Sequence, residues 1–268
     1  MLDTDLAIRL KNMANSPIRV TAEIPVWGTV VWVEAFGNNE EALESGVADV
    51  RKYFESVDQL FSTYIETSEV SRLRRGELNF ENCNPEVQEI WEKCLKAKEF
   101  TEGAFDPWKV TGGFDPSGYV KGWAADNALE ILKEHCATSA QVNAAGDISL
   151  FGGTYVDGVH KPWSTGIRHP EDPKTIVKVF EIMDGAIATS GTYERGSHII
   201  DPFTGTIAIG ARSATVLGPD GGIAEALATA LIVAGKDGAK WFTKPELAGY
   251  SAWVIERHSD QAWGINLK

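Results

Sequence analysis

The run from Phe105 to Gly153 constrains the chain most, because it places a Gly/Pro-rich acidic loop, a helix start and a strand-to-turn passage in direct succession. The loop carries Asp106, Asp115, Ser117 and Gly118; Lys121-Gly122 opens an amphipathic segment; a short strand pattern then ends in Asn143-Ala-Ala-Gly146-Asp147. That order suits an anionic ligand. Unpaired N–H groups at a helix N-terminus attract phosphate, and glycines let a backbone come close to it. Two later segments, Thr189–Gly205 and Gly221–Gly235, hold the other conspicuous polar groups among small or apolar neighbours.

Around this run the periodicities are mixed. Residues 18–36, rich in Val, Ile and Trp around Pro25 and Gly28, predict two adjacent strands joined by a turn or bulge. From Asn39 to Phe61 the apolar positions Leu43, Val47, Val50, Phe54 and Val57 recur as on one face of a helix. Ser62–Ser71 reads as a polar surface loop, and Asn84-Pro85 is a helix start, with Asn as cap and Pro in the first turn. Gly103 is placed to end that helix. Strand-like runs follow at Trp163–Arg168, Val177–Ile182, His198–Ile200 and Ala214–Leu217, then a small-residue helix over 223–234 and two closing strands at Tyr250–Ile255 and Gln261–Leu267. Helices and strands do not alternate, which favours an α+β fold with a mainly antiparallel sheet flanked by helices over a doubly wound parallel sheet. At 268 residues and 43% hydrophobic content the chain can bury its core as one large domain or two intimately packed lobes. The expected division is a polar N-terminal segment, 1–16, and one domain, 17–268.

A net charge of −13 and a pI near 4.9 argue against a broad nucleic-acid footprint, which needs clustered Lys and Arg. Cys83, Cys94 and Cys136 are odd in number and lack CxxC spacing, so neither a disulfide framework nor a zinc site is expected. The first residues show no basic stretch before an apolar core, and no apolar run reaches the ~18 residues of a membrane span. A cytoplasmic protein with no transmembrane segment is the expectation.

Several residue pairs could carry chemistry. Lys121 and the Gly122 amide could face a phosphate, or Lys121 could be a solvated side chain in a first helical turn. Glu225 and Thr229 stand at i and i+4, so both oxygens leave one helix face and could share a hard cation; an edge-of-core Glu beside a back-bonded Thr is the alternative. His198 and Asp201 would point to opposite sides of a strand, and Asp201-Pro202 also reads as a structural turn. Thr189-Ser190-Gly191 reads as a turn able to present N–H groups. Trp27, Tyr64, Phe105 and Trp123 are core residues singly and stacking faces for a flat ligand jointly.

Taken together these segments resemble the ApbE family of FAD:protein FMN transferases. WGT at 27–29, FSTYIETSEVSRL at 61–73, GAFDP at 103–107, DPSGYVKG at 115–122, NAAGD at 143–147, TSG at 189–191, HIIDPFTG at 198–205 and AEALATA at 224–230 follow the family's order. The resemblance implies an ApbE-like catalytic domain that uses FAD as substrate with Mg²⁺. It would move FMN onto a Thr or Ser hydroxyl of an acceptor flavoprotein and release AMP. An FAD pyrophosphatase and a non-catalytic FAD-binding protein are the alternatives. It further implies an FAD site lined by Trp27, Gly28, Thr29, Tyr64, Ala104, Phe105, Asp106, Ser117, Gly118, Lys121, Asn143, Gly146, Asp147, Thr189, Ser190, Gly191, His198 and Thr204. Lys121, His198 and Asp201 would be catalytic, with His198 the first choice of base, and Glu225 and Thr229 would hold the metal. The chain departs from the family at Trp27, where Met is usual, at Ala145, where a second Gly is usual, and at Glu225, where Asp is usual.

Overall fold

A computed structural model describes residues 17–172, 174–191, 199–259 and 261–267. Strands β1 (Ile18–Val26) and β2 (Thr29–Gly37) pair in register from Val26↔Thr29 to Ile18↔Gly37, leaving Trp27-Gly28 as a two-residue turn. Both turn residues have positive φ, 55° and 67°, which a tight hairpin with the right strand twist requires. Helix α1 (Glu40–Phe61) follows, its Asn39 cap accepting from the Ala42 amide and the anticipated stripe Leu43, Val47, Val50, Phe54, Val57 and Phe61 facing inward. Helix α3 (Pro85–Phe100) starts on the Asn84 cap as the sequence predicts. Its C-terminal turn is closed by Gly103, at φ 86°, whose amide donates to the Lys98 carbonyl.

Helix α4 (Ser117–Glu134) leads into the hairpin β3 (Ala137–Ala144) and β4 (Asp147–Phe151). An excursion then forms two small hairpins, β5 (Thr154–Val156) with β6 (Val159–Lys161) and β7 (Trp163–Arg168) with β8 (Ile176–Ile182), before β9 (Gly185–Gly191) returns beside β4. Strand β10 (Ala211–Gly218), helix α5 (Gly221–Ala234) and strands β11 (Ser251–Glu256) and β12 (Ala262–Ile265) complete the order. The main sheet runs β1-β2-β3-β4-β9-β10-β11-β12, antiparallel at every step, so the α+β expectation holds.

Helices α4 and α5 cross where neither has side chains. A Cβ on Gly122 would lie 2.2 Å from the Gly221 carbonyl oxygen, and one on Gly222 would strike the Tyr119 ring. Helix α5 itself is buried through Leu227, Leu231 and Ile232, each contributing roughly 1.5–3 kcal/mol if fully removed from water.

Three expectations are corrected. The polar loop at 62–71 contains the start of helix α2 (Glu69–Arg74), because the Ser68 hydroxyl caps it by accepting from the Ser71 amide. Helix α4 begins at Ser117 rather than at Lys121, so Lys121 is not a solvated first-turn residue; it sits half-buried one turn in. Thr189-Ser190-Gly191 is not a turn but the end of β9, paired to Ser213–Thr215 of β10. His198 lies outside the described residues, and Ile200 makes only an isolated bridge to Ile207.

Candidate active site

The crossing of α4 and α5 holds an ion network built by long-range contacts. Lys121 Nζ donates to Asp147 Oδ2 at 2.5 Å and to Glu225 Oε1, and the second Glu225 oxygen accepts from the Gly122 amide at 3.0 Å. Helix α4 is non-helical at Gly118 (φ −85°, ψ 16°), the residue whose carbonyl a regular helix would pair with the Gly122 amide. The Lys121-Gly122 pair therefore does hold an anion, as its sequence suggests, but the anion is a carboxylate of the chain itself.

Burial in this low-dielectric crossing, and next the charge of Asp147, push the Glu225 carboxyl up to about 8, against the pull of Lys121 and the Gly122 amide. Burial alone would lower Lys121, but Asp147 and then Glu225 outweigh it and hold the ammonium above the ordinary lysine range. Glu225 is 2% exposed. Fully ionised, the three groups sum to a charge of −1.

One turn along α5 a second group forms. Thr229 Oγ1 and Ser190 Oγ lie 3.1 Å apart, and a Cβ at Gly118 would sit 3.6 Å from Thr229 Oγ1 and 3.2 Å from the Phe105 ring. Asn143 Oδ1 accepts from the Gly146 amide and fixes the β3–β4 turn that delivers Asp147, while Ala145 takes the φ of 58° that Gly or Asn would take more readily. Ala104 and Phe105 are buried, the Phe105 ring near Gly118, and Ser117 is exposed at the start of α4 with its amide on Asp115 Oδ1.

Other expected site residues have their bonds elsewhere. Asp106 accepts from the Trp108 amide and pairs with Lys98 at 2.7 Å. Thr189, one residue from Ser190 and so on the opposite sheet face, meets Thr215 across β10 at 3.0 Å. Asp201 Oδ1 accepts from the Phe203 amide at 2.7 Å, the turn that was its structural alternative, and Thr204 pairs with Thr206 within that turn. Lys109 ties the turn to the central loop by donating to the Pro202 carbonyl. Trp27 packs edge-on against Phe54, its buried indole N–H without an acceptor among the described residues, and is followed by exposed Gly28 and half-exposed Thr29. Tyr64 is 94% exposed, so its ring is free for stacking. Gly191 closes β9 next to the undescribed residues.

One participant was not legible in the sequence. Asp126, on α4, accepts from the Gly221 amide at 2.7 Å and from the Ser149 hydroxyl at 2.5 Å, locking the start of α5 to α4 and β4. Burial pushes its carboxyl up to about 6. Its only signal is a lone acid beside Trp123, Ala124 and Ala125.

The oxygens of Glu225, Thr229 and Ser190 are hard donors suited in kind to a magnesium ion completed by water and phosphate. Among the described residues no group of three or more His, Cys, Asp or Glu could enclose a metal without such help. Nor, among them, is any helix long and apolar enough to cross a membrane.

Comparisons with known proteins converge. The chain is similar over 131 residues, at 36% identity, to the FAD:protein FMN transferase of Rhodobacter capsulatus, an overlap of 46% of this chain and 24% of that protein. To the FAD:protein FMN transferase of Treponema pallidum (strain Nichols) it is 34% identical over 139 residues, 45% of this chain and 38% of that one. The overlap thus spans well under half of either relative. In fold, the flavin transferase ApbE from Vibrio cholerae superposes with a TM-score of 0.79 at 23% identity, covering 93% of this chain and 98% of that one. The ApbE protein of Thermotoga maritima gives 0.80 at 22% identity, over 93% and 97%. The family model itself matches residues 27–112 and 110–252, nearly the whole described chain, and the protein belongs to the ApbE family.

Proposed function

We propose that this protein is an FAD:protein FMN transferase, carrying FMN from FAD to a Thr or Ser hydroxyl of an acceptor flavoprotein. The observation that supports the reading most is the Lys121 ammonium held between two buried carboxylates beside the Ser190–Thr229 hydroxyl pair. Family membership supplies the substrate class.

In this reaction the acceptor oxygen forms a bond to the FMN-side phosphorus as the diphosphate P–O bond breaks. AMP leaves with the bonding electrons, and the hydroxyl proton passes to a base. Such transfer depends on positioning and charge neutralisation more than on covalent chemistry. Lys121, anchored by Asp147, supplies the fixed positive charge; Asn143 and Gly146 hold Asp147 at the hairpin mouth; the Gly122 amide orients Glu225. Glu225 and Thr229 would hold a magnesium ion, which when bound supplies charge neutralisation on the diphosphate. His198 is proposed as the base, with Asp201 or Asp147 next. The free Cys83, Cys94 and Cys136 favour a reducing compartment, the cytoplasm, for the reaction.

Purified protein incubated with FAD, Mg²⁺ and an acceptor domain tests the reading by intact-mass spectrometry. An acceptor heavier by one FMN moiety supports it. Free FMN and AMP with an unmodified acceptor would make the protein a pyrophosphatase, and unchanged FAD would make it a binding protein.

A further inference from the structure

Glu225 occupies an unusual position for a metal ligand. Both of its oxygens are already bonded, one to the Lys121 ammonium and one to the Gly122 amide, and the residue is 2% exposed. A divalent cation approaching this carboxylate meets an ammonium in its place. Lys121, by contrast, has a second anchor in Asp147 and remains half-buried, so it can leave Glu225 without leaving the network. Gly122 cannot move. It is wedged against Gly221, where even a methyl group would collide.

From this we infer that Lys121 gates the metal site: the ammonium and a hard divalent cation are alternative partners of Glu225 Oε1, and an anionic phosphate exchanges one for the other. The Gly122 amide keeps Glu225 Oε2 as a pivot while Oε1 changes partner. The charges explain why the exchange waits for phosphate. Asp147, Lys121 and Glu225 sum to −1 with Glu225 ionised and to zero with it protonated, so neither form attracts a diphosphate; a divalent cation on the ionised carboxylate turns the sum to +1, which does. Cation alone must displace Lys121, and phosphate alone finds no net positive charge. Together each removes the other's obstacle, which is positive coupling in the thermodynamic sense.

The inference deepens the transferase reading and rests on it for the identity of the phosphate ligand, but its test does not require turnover. Mn²⁺ serves as the probe, with free ion counted by electron paramagnetic resonance, first without and then with saturating FAD. The decisive variant is Glu225→Asp, which preserves charge and shortens reach, so that one carboxylate can no longer span both Lys121 and the Gly122 amide. Without FAD it is expected to bind Mn²⁺ at least tenfold tighter than wild type; with FAD the gap is expected to close to about threefold or less. Lys121→Met is expected to raise Mn²⁺ affinity without FAD as well, and Lys121→Met with Glu225→Gln to abolish that gain. Equal Mn²⁺ affinity of wild type and Glu225→Asp without FAD would overturn the gate, as would a Lys121→Met gain that survives Glu225→Gln. If Glu225→Asp does not fold, the Lys121 pair of variants decides alone. A protein that shows the Mn²⁺ pattern but flavinylates nothing leaves the gate standing and removes the transferase; one that flavinylates with no Mn²⁺ difference does the reverse.

Discussion

Two buried acid–lysine contacts on either side of the central loop look alike on paper and differ in what they leave over. Lys98 pairs with Asp106, whose second contact is the Trp108 amide, and the sum is neutral. Lys98 also lies over the Trp108 ring, 5.5 Å from its centroid, and is well exposed to water. Lys121 serves two carboxylates at once, one of them displaced far from its ordinary range, so acids outnumber cations there, and two hydroxyls lie one helical turn away. A balanced pair holds a loop in place; an unbalanced one has affinity left for a cation or a proton. Perturbed carboxylates with a named charge partner cluster at functional sites for that reason.

The largest effect that could break this contrast is at Lys121. Lys121→Met leaves Asp147 and Glu225 facing each other without a cation, so FMN transfer is expected to fall by more than 100-fold, over ~2.7 kcal/mol of transition-state stabilisation. A variant retaining a tenth of wild-type rate at saturating FAD would put Lys121 outside the chemistry.

Lys98→Met is the matched control. It strips the cation from Asp106 and should lower stability by roughly 2–3 kcal/mol at neutral pH, the scale of leaving a buried charge unpaired. Transfer by the folded fraction should stay within about twofold. Denaturant melts set beside rates separate the two lysines.

The sequence shows the scaffold of this contrast better than its contacts. The stripe on α1, the Asn84-Pro85 start and the Asn143–Asp147 turn are written in local chemistry, and each lies where it was read. Strand β9 was hidden because Ala186, Ala188 and Gly191 look like turn residues; Ala186 and Ala188 share the face on which Ser190 meets Thr229 of α5. The i, i+4 spacing of Glu225 and Thr229 places them on one helix face, yet nothing local says that Lys121, 104 positions away, has taken the carboxylate. Asp106 likewise carries a family motif while its oxygens belong to Lys98 and Trp108.

A third buried acid sharpens the comparison because its bonds go to an amide and a hydroxyl rather than to a lysine. Asp126 accepts from the Gly221 amide and the Ser149 hydroxyl, and burial raises its carboxyl to about 6 from an unfolded value near 3.8. The folded form binds the proton more tightly, so this stabilisation is present below the unfolded value and is lost as pH rises through about 6. The loss is on the order of 2 kcal/mol once solvent access is allowed for. Asp126→Asn keeps an acceptor for the Gly221 amide and removes the titration. Its melting temperature is expected to vary less between pH 4 and 7 than that of wild type; parallel curves would show that Asp126 does not titrate there.

The smallest expected effect tests the part of the unbalanced site that carries no charge. Thr229 Oγ1 meets the Ser190 hydroxyl near the kinked Gly118, in a place that packing alone would fill with a methyl group. If the hydroxyl is there for a cation or phosphate oxygen, Thr229→Ala should lower transfer about tenfold, ~1.4 kcal/mol, and raise the Mg²⁺ concentration needed for half-maximal rate. Thr229→Ser keeps the oxygen and should recover most of the rate, whereas Thr229→Val keeps the shape and should not. Stability should move the other way, with Val retaining the packing of α5 on β9 and Ser losing a buried methyl. A rate that follows melting temperature across the three variants, with an unchanged Mg²⁺ curve, would make Thr229 a packing residue and leave Lys121, Asp147 and Glu225 as the whole of the difference between the two sites.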